Sequence, residues 1–403
     1  MNDFAPILFF VYNRPEHTKR TIESLQKTLG ACESELLIYS DGAKLDADKE
    51  KVSTVRDYLN TIDGFKSIII IKREHNFGLA NSVISGVGEV LKIHNSVIVL
   101  EDDLNFSKNF LLFMNTALKE FQNVENVFSI SGYNFPIDIP KDYKENIYLS
   151  PRASSWGWAT WKDRWEKADW SVSDFKSFIN NKSKTEEFNK GGNDLTRMLK
   201  NQVEGKIDSW AIRWSYAHYK NKAYCVYPVK SKVQNIGTDS SGLHSITTNK
   251  FFVDLDLSND VKKINTRLTT NEIILSRFRK FFKFTLWERI YWKVKRNFKI
   301  INQLRNKLMK LFAQIFINGF YNFLTDKFYR QFMKLVFLYG GRPRYELRSI
   351  KFLNFKMIVP DCRSFIWQFK EIFVDKNYLF KAENDSPVIY DCGSNIGTKA
   401  FIF

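Results

Sequence analysis

Cysteine is scarce and scattered in this chain. Its four residues, Cys32, Cys225, Cys362 and Cys392, stand far apart with neither paired nor metal-ligand spacing, a pattern that points to a reducing compartment, the cytoplasm. Long apolar runs are also missing. The longest, such as Ile68 to Ile71 and Val97 to Leu100, are strand-sized, far below the roughly 20 residues a spanning helix needs. The first residues, Met-Asn-Asp-Phe-Ala-Pro, place no basic stretch ahead of an apolar one, so no signal peptide is expected. There is no internal repeat and no low-complexity tract. What is present is a chain of 403 residues with 44% hydrophobic content, globular and long enough for at least two folded units.

The formal charge of +17 raises a nucleic-acid reading, but the charge is unevenly spread. Between Arg277 and Lys310 twelve Lys or Arg stand against one acid, Glu288, interleaved with Phe281, Phe282, Trp287, Tyr291, Trp292 and Phe298. Such a segment suits an anionic lipid surface. It suits equally a helical connector whose apolar stripe packs on a neighbour while its lysines are solvated. No nucleic-acid-binding fold surrounds it, so no nucleic-acid partner is expected.

From Ala5 to about Leu104, β-rich runs alternate with amphipathic helices, which predicts a parallel sheet with crossover helices in an α/β fold. The expected strands are Ile7 to Tyr12, Glu35 to Ser40, Ser67 to Lys72 and Ser96 to Glu101, with helices near Pro15 to Lys27, Ala47 to Asn60 and Leu79 to His94. Sheets of this kind bind ligands at the carboxyl ends of their strands. Here those ends carry Asn13-Arg14-Pro15, Ser40-Asp41-Gly42, Arg73 to Gly78 and Glu101-Asp102-Asp103, four loops on one rim. From about Asn105 to Asp256 the texture changes to helices and loops rich in Trp and Tyr.

Val97-Ile-Val-Leu-Glu-Asp-Asp-Leu104 is a buried strand ending in three consecutive carboxylates. Carboxylates so placed can hold Mg2+ or Mn2+ against the oxygens of a departing diphosphate; an exposed acidic turn is the plainer alternative. Strand and triplet together resemble the metal motif of GT-A fold glycosyltransferases, a Rossmann-like nucleotide-sugar-binding fold, of family 2 or the N-acetylglucosaminyltransferase I type. Pro6 to Pro15 is similar to that family's first strand and nucleotide-binding loop, and Ile38-Tyr-Ser-Asp-Gly42 to its second. The resemblance implies donor-binding roles for Tyr12, Asn13, Arg14, Asp41, Asn76, Gly78, Asn81 and Asp102, with Asp41 reading the nucleobase and Asp102 near the ribose. Asp103 is implied to bind the metal, with Glu101 supporting it. The segment Asn76 to Asn81 resembles the loop and helix start beneath the donor, where free backbone N–H groups favour phosphate.

Inverting sugar transfer needs a carboxylate to take the acceptor hydroxyl's proton. Asp208, just ahead of an apolar helix, is the candidate base, with a helix N-cap as the alternative. Ser154-Ser-Trp-Gly-Trp-Ala-Thr-Trp161 resembles the Gly-Trp loop laid across donor and acceptor, so Trp156, Gly157 and Trp158 are candidate sugar contacts. An aromatic core cluster is the alternative. Asn235 to His244 is a glycine-bearing loop whose histidine, His244, is a candidate for completing the metal shell.

Val388-Ile-Tyr-Asp-Cys-Gly-Ser-Asn-Ile-Gly397 is a strand followed by a glycine-rich turn. It resembles motif I of FkbM-family S-adenosylmethionine methyltransferases, with Asp391, Gly393, Asn395 and Gly397 as the motif's remnant. Gly341-Arg-Pro-Arg344, Val359-Pro-Asp361 and Glu371-Ile-Phe373 are similar to that family's lead-in. The expected organisation is a GT-A domain over 1–262, a basic aromatic helical linker over 263–335 and an incomplete α/β methyltransferase portion over 336–403. S-adenosylmethionine is expected only if a longer, bifunctional protein carries the rest of that domain. The function implied is a metal-dependent, inverting transfer of a hexosyl or N-acetylhexosaminyl group. Its donor is a nucleotide-sugar, and its acceptor a bacterial surface-polysaccharide glycan or a lipid-linked glycan. The expected location is the cytoplasm, with peripheral contact to the inner membrane face through 277–310. The alternatives are a membrane-docked scaffold with a degenerate transferase and a sugar-phosphate nucleotidyltransferase. The latter needs a glycine-rich basic loop after its first strand, and Asn13-Arg-Pro-Glu16 is not one.

Overall fold

The computed structural model describes residues 4–237, 250–283, 322–352 and 355–375, in two compact units, Met1–Lys283 and Phe284–Phe403. Among the described residues no helix is long and apolar enough to cross a membrane.

The first unit is built on an eight-stranded mixed sheet. Strands β1 (Ile7–Val11), β2 (Glu35–Ser40), β3 (Ser67–Lys72) and β4 (Ser96–Glu101) are runs rich in Ile, Leu, Val and Phe that pair in parallel. Helices α1 (Pro15–Gln26), α2 (Lys49–Leu59) and α3 (Leu79–Val90) connect them. Pro15 opens α1 at a position where its missing N–H costs nothing. The expected strand ends hold for β2, β3 and β4. Strand β1 ends one residue early, where the Tyr12 hydroxyl reaches across to Asp48 at 2.9 Å.

Beyond β4 the chain was expected to be helices and loops, and the structure differs. Strand β5 (Leu104–Phe106) and helix α4 (Phe110–Glu120) come first, then β6 (Val127–Ser131), β7 (Ile147–Ser150) and β8 (Trp158–Trp161). Helices α5 (Lys162–Trp165), α6 (Phe175–Ile179), α7 (Lys182–Phe188), α8 (Leu195–Val203) and α9 (Trp210–Lys220) follow. Strands β9 (Tyr224–Pro228) and β10 (Val233–Asn235) and helix α10 (Glu272–Phe281) complete the unit. The sheet order is β3-β2-β1-β4-β8-β6-β9-β7, with β10 and β5 forming a separate antiparallel pair. Strands β6, β7 and β8 are only four or five residues long and mix Ser, Thr and Trp into their apolar runs, so no aliphatic block marks them in the sequence.

The sheet divides two cores by residue parity, as strand geometry requires. Ile7, Phe9, Ile38, Ile98 and Leu100 face one layer with α1 and α4. Leu8, Phe10, Leu37, Val97 and Val99 face the other, with α3 and a tryptophan cluster of Trp158, Trp165, Trp210 and Trp214. Ile264, Ile274, Phe278 and Phe282 belong to the first layer, so the start of the basic aromatic segment packs as an apolar stripe.

The second unit contains α11 (Lys327–Tyr339), an antiparallel pair β11 (Arg348–Phe352) and β12 (Phe355–Val359), and α12 (Cys362–Phe369). Leu335, Ile350, Val359, Phe365 and Phe369 form its small core. Asp361 caps α12 through the Arg363 amide and accepts from Arg344 Nη2 at 3.0 Å, which joins two of the lead-in segments read from the sequence.

Candidate active site

Strands β2 and β3 lie on one side of β1 and β4 on the other, so the order reverses between β1 and β4. An open α/β sheet has its natural crevice at that point, outside the carboxyl ends of the strands. The residues immediately beyond those two ends are Tyr12-Asn13-Arg14 and Asp102-Asp103.

There Arg14 Nη2 donates to Asp102 Oδ1 and, at 3.1 Å, to Asp103 Oδ2. Asp102 is only 5% exposed and Asp103 9%. Burial raises the pKa of Asp102, and Asp103 raises it further against the opposing pull of Arg14. Burial alone would lower the Arg14 pKa, but the Coulombic attraction of Asp102 and Asp103 holds it above its ordinary value. Burial of the Glu101 carboxyl, then the neighbouring Asp103 and Asp102, push its pKa up to about 8. The protonated form of Glu101 is thereby favoured, which eases the repulsion among the three carboxyls. Among the described residues the second Asp103 oxygen, Oδ1, is buried without a hydrogen-bond partner.

The residues around this cluster are held by one another. Asp48 accepts from the Tyr12 hydroxyl and from Asn13 Nδ2, both at 2.9 Å, fixing the β1 loop. Thr21 donates to the Asp102 carbonyl at 2.9 Å. Ile236 donates to the Asp103 carbonyl at 2.8 Å, extending the β5–β10 pairing so that Gly237 presses on the Asp103 side chain. A Cβ at Gly237 would stand 2.1 Å from Asp103 Oδ2, so only glycine leaves that carboxylate where it is.

Asp41 commits its carboxylate to the opposite loop. Its Oδ1 accepts from Gly42 N and Phe77 N at 3.0 and 2.9 Å, and its Oδ2 from Gly78 N at 3.0 Å. The Phe77 and Gly78 amides, expected to be open to phosphate, are thus taken. The first turn of α3 beyond them retains amides that helix geometry leaves without intrahelical partners. Asn76 Nδ2 donates to the Gly42 carbonyl at 2.8 Å, and exposed Asn81 folds back onto the Phe77 carbonyl at 3.1 Å. Arg56 bonds the carbonyls of Ser40, Asp41 and Arg73. Arg73, stacked on Phe77 at 4.2 Å, donates to Ser82 and Ser85. Asp48 and Arg56 carry no sequence signal, because the crevice residues they hold lie far from them in the sequence.

Asp208 is exposed beside Arg213 Nη2 at 3.3 Å. It is not the helix cap: Ser209 takes that place, accepting from Ile212 N at 3.4 Å. Trp210 opens α9, and its indole favours the ionised form of the nearby Glu101 carboxyl, which places the start of this helix beside the carboxylate cluster.

The aromatic candidates separate, and one needs correction. Trp158 is 0% exposed, between β4 and β6 in the sheet and stacked on Trp210 at 4.9 Å. Its side chain points into the core and presents no face to a sugar. Gly157, at φ +60°, accepts from the Gly132 amide at 2.6 Å, and a Cβ there would meet Val233 Cγ2 at 2.7 Å. It is a packing residue. Trp156 remains partly exposed, edge-on to Tyr133 at 4.7 Å and to Phe251 at 5.5 Å. His244, the remnant Asp391, Gly393, Asn395 and Gly397, and residues 284–310 of the basic segment lie outside the described residues.

Among the described residues no three metal-ligating side chains gather. A Mg2+ or Mn2+ that keeps waters and substrate phosphates needs only one or two carboxylates. The orphaned Asp103 Oδ1 beside Asp102 fits that requirement.

No family model and no curated protein matches the sequence. Among solved structures it is similar to the mannosyltransferase PcManGT from Pyrobaculum calidifontis in complex with GDP-Man and Mn2+. That likeness has 13% identity and a TM-score of 0.30 over 41% of this chain and 47% of that one. It is also similar to GalNAc-T7 with UDP, GalNAc and Mn2+, at 12% identity and a TM-score of 0.37 over 56% of this chain and 42% of that one. The chain therefore spans less than half the length of either.

Proposed function

We propose that the first unit is a metal-dependent glycosyltransferase that moves a sugar from a nucleotide-sugar donor to a glycan or lipid-linked glycan, with inversion. One observation carries this reading. A carboxylate pair with an orphaned buried oxygen stands at the β1–β4 switch point of an α/β sheet, where a diphosphate needs its charge neutralised.

Asp103, with Asp102 beside it, would hold Mn2+ or Mg2+, which when bound neutralises the leaving diphosphate. The β1 loop, fixed by Asp48, carries Tyr12 and Asn13 against the nucleoside. Asp41 acts by shaping the 76–78 loop, which delivers the open amides of α3 to the phosphates. Asp208 takes the acceptor proton: exposed and two residues ahead of Trp210, it is reachable by a hydroxyl entering from solvent. Trp156 offers the acceptor sugar its partly exposed face. Contact of the 277–310 segment with an anionic membrane would bring the unit to a lipid-linked acceptor.

The test is a thermal-shift screen against UDP-, GDP-, CDP- and dTDP-sugars, with and without Mn2+, on the wild type and Asp103→Asn. One nucleotide should raise the wild-type melting temperature only when Mn2+ is present. Asp103→Asn should lose that shift while melting within a few degrees of the wild type. A shift that ignores Mn2+, or survives in Asp103→Asn, removes the metal assignment.

A further inference from the structure

Arg14 does more in this structure than border the crevice. It follows β1 directly, its side chain is 18% exposed, and one nitrogen, Nη2, bonds both Asp102 and Asp103. Two buried carboxylates side by side are costly unless a positive charge compensates them. In this arrangement the guanidinium compensates both, on oxygens that a divalent cation would also use. The orphaned Asp103 Oδ1 marks where such a cation gains a ligand that Arg14 leaves untouched. A guanidinium and a divalent cation cannot share so small a cluster without strong repulsion. When the metal enters, Arg14 must leave, and the anion arriving with the metal is the donor's diphosphate, which a planar guanidinium grips well.

We propose that Arg14 is a placeholder cation: it holds Asp102 and Asp103 in position before the metal binds, disfavours the metal alone, and passes to the diphosphate when metal and donor bind together. The inference rests on the glycosyltransferase reading and adds to it a preference for metal and donor binding as a pair. Arg14 is in this sense a positioning residue, and removing it should strengthen one binding event rather than weaken all of them.

The experiment titrates Mn2+ alone, followed by the electron paramagnetic resonance signal of the free ion, into the full chain as wild type, Arg14→Met and Arg14→Lys. Arg14→Met should bind Mn2+ about tenfold or more tightly than the wild type, because a repelling charge has gone from the site; Arg14→Lys should fall between. The rise in melting temperature on adding Mn2+ should likewise be largest for Arg14→Met. If Arg14→Met melts early without metal because its carboxylates repel, Mn2+ should return it to the wild-type range. Equal or weaker Mn2+ binding by Arg14→Met overturns the inference, as does the absence of Mn2+ binding in all three chains. The broader reading fails on a different result, a nucleotide-sugar shift that does not depend on Mn2+.

Discussion

At the residue scale the crevice depends on contacts that are not visible along the chain. Asp102 and Asp103 were legible because three carboxylates close an apolar run, and Arg14 because it follows the first strand. Gly237 was legible only as a turn. Its role appears when β10 pairs with β5 and brings its backbone onto Asp103, a contact across more than 130 positions of sequence. Gly237→Ala should therefore act on metal binding as well as on stability. The added methyl would press on Asp103 Oδ2 and also stand 2.8 Å from its Cγ and 2.9 Å from its Cβ, so rotating the carboxylate does not clear it and the backbone must give as well, at a cost of about 1–3 kcal/mol. The displaced carboxylate no longer presents its oxygens as before, and Mn2+-dependent donor affinity should fall by about tenfold or more. Isothermal titration beside a thermal melt checks both halves. An intact affinity would mean that Asp103 adapts without loss and that the close approach is incidental. Trp158 shows the opposite limit of sequence reading. Its place beside Gly157 suggested a sugar contact, and only the pairing of β8 on both edges reveals that its side chain is core.

At the scale of elements, the parallel half of the sheet was readable because each strand is a compact aliphatic run bounded by polar turns. The strands after β5 were not, since Val127–Ser131, Ile147–Ser150 and Trp158–Trp161 are only four or five residues long and mix Ser, Thr and Trp into the run, so no aliphatic block marks them. Helix α9 links the two halves. Trp210 lies near Glu101 at one end of it, and His218 lies fully buried near the other. The His218 ring bonds the Trp214 carbonyl through Nδ1 at 2.9 Å and Ser129 Oγ through Nε2 at 2.8 Å. A carbonyl can only accept, so Nδ1 carries the proton and Nε2 accepts from the Ser129 hydroxyl. Burial pushes the His218 pKa down to about 4, with the Trp214 carbonyl opposing. The native value lies below the unfolded one, so the unfolded chain takes up the proton first as pH falls. The contribution is complete above about pH 6.5 and is lost progressively as pH falls through about 4, a change on the order of 3 kcal/mol. Urea midpoints at pH 7.5 and 4.5 for the wild type and His218→Asn check this. The wild type should lose more stability over that interval than the variant, and parallel losses would assign the acid sensitivity elsewhere.

At the scale of the whole molecule, charge and packing draw different limits. Composition turns basic near residue 263, and read alone it ends the transferase part there. Packing carries the first unit on to Lys283. Ile264, Ile274, Phe278 and Phe282 are core residues of the layer formed by β1, β2 and β4. Phe282 also lies beneath the Arg152 guanidinium at 3.7 Å, and Arg152 is paired with Asp194 at 2.8 Å. Burying each of these four apolar side chains stabilises by roughly 1.5–3 kcal/mol. Together they contribute on the order of 10 kcal/mol, comparable to the roughly 5–15 kcal/mol that separates a folded domain from its unfolded chain. A protein ending at residue 283 should therefore melt in one cooperative transition and keep the Mn2+-dependent donor shift. One ending at residue 262 should lose cooperativity or aggregate, because Phe135, Tyr148 and Tyr227 lose the ring contacts that Phe278 makes with them. Calorimetry on the two proteins decides the matter. Equal melting temperatures would show that α10 is an appendage to a core complete without it, whereas failure of only the shorter one would make the opening turns of the basic segment part of the unit that binds the donor.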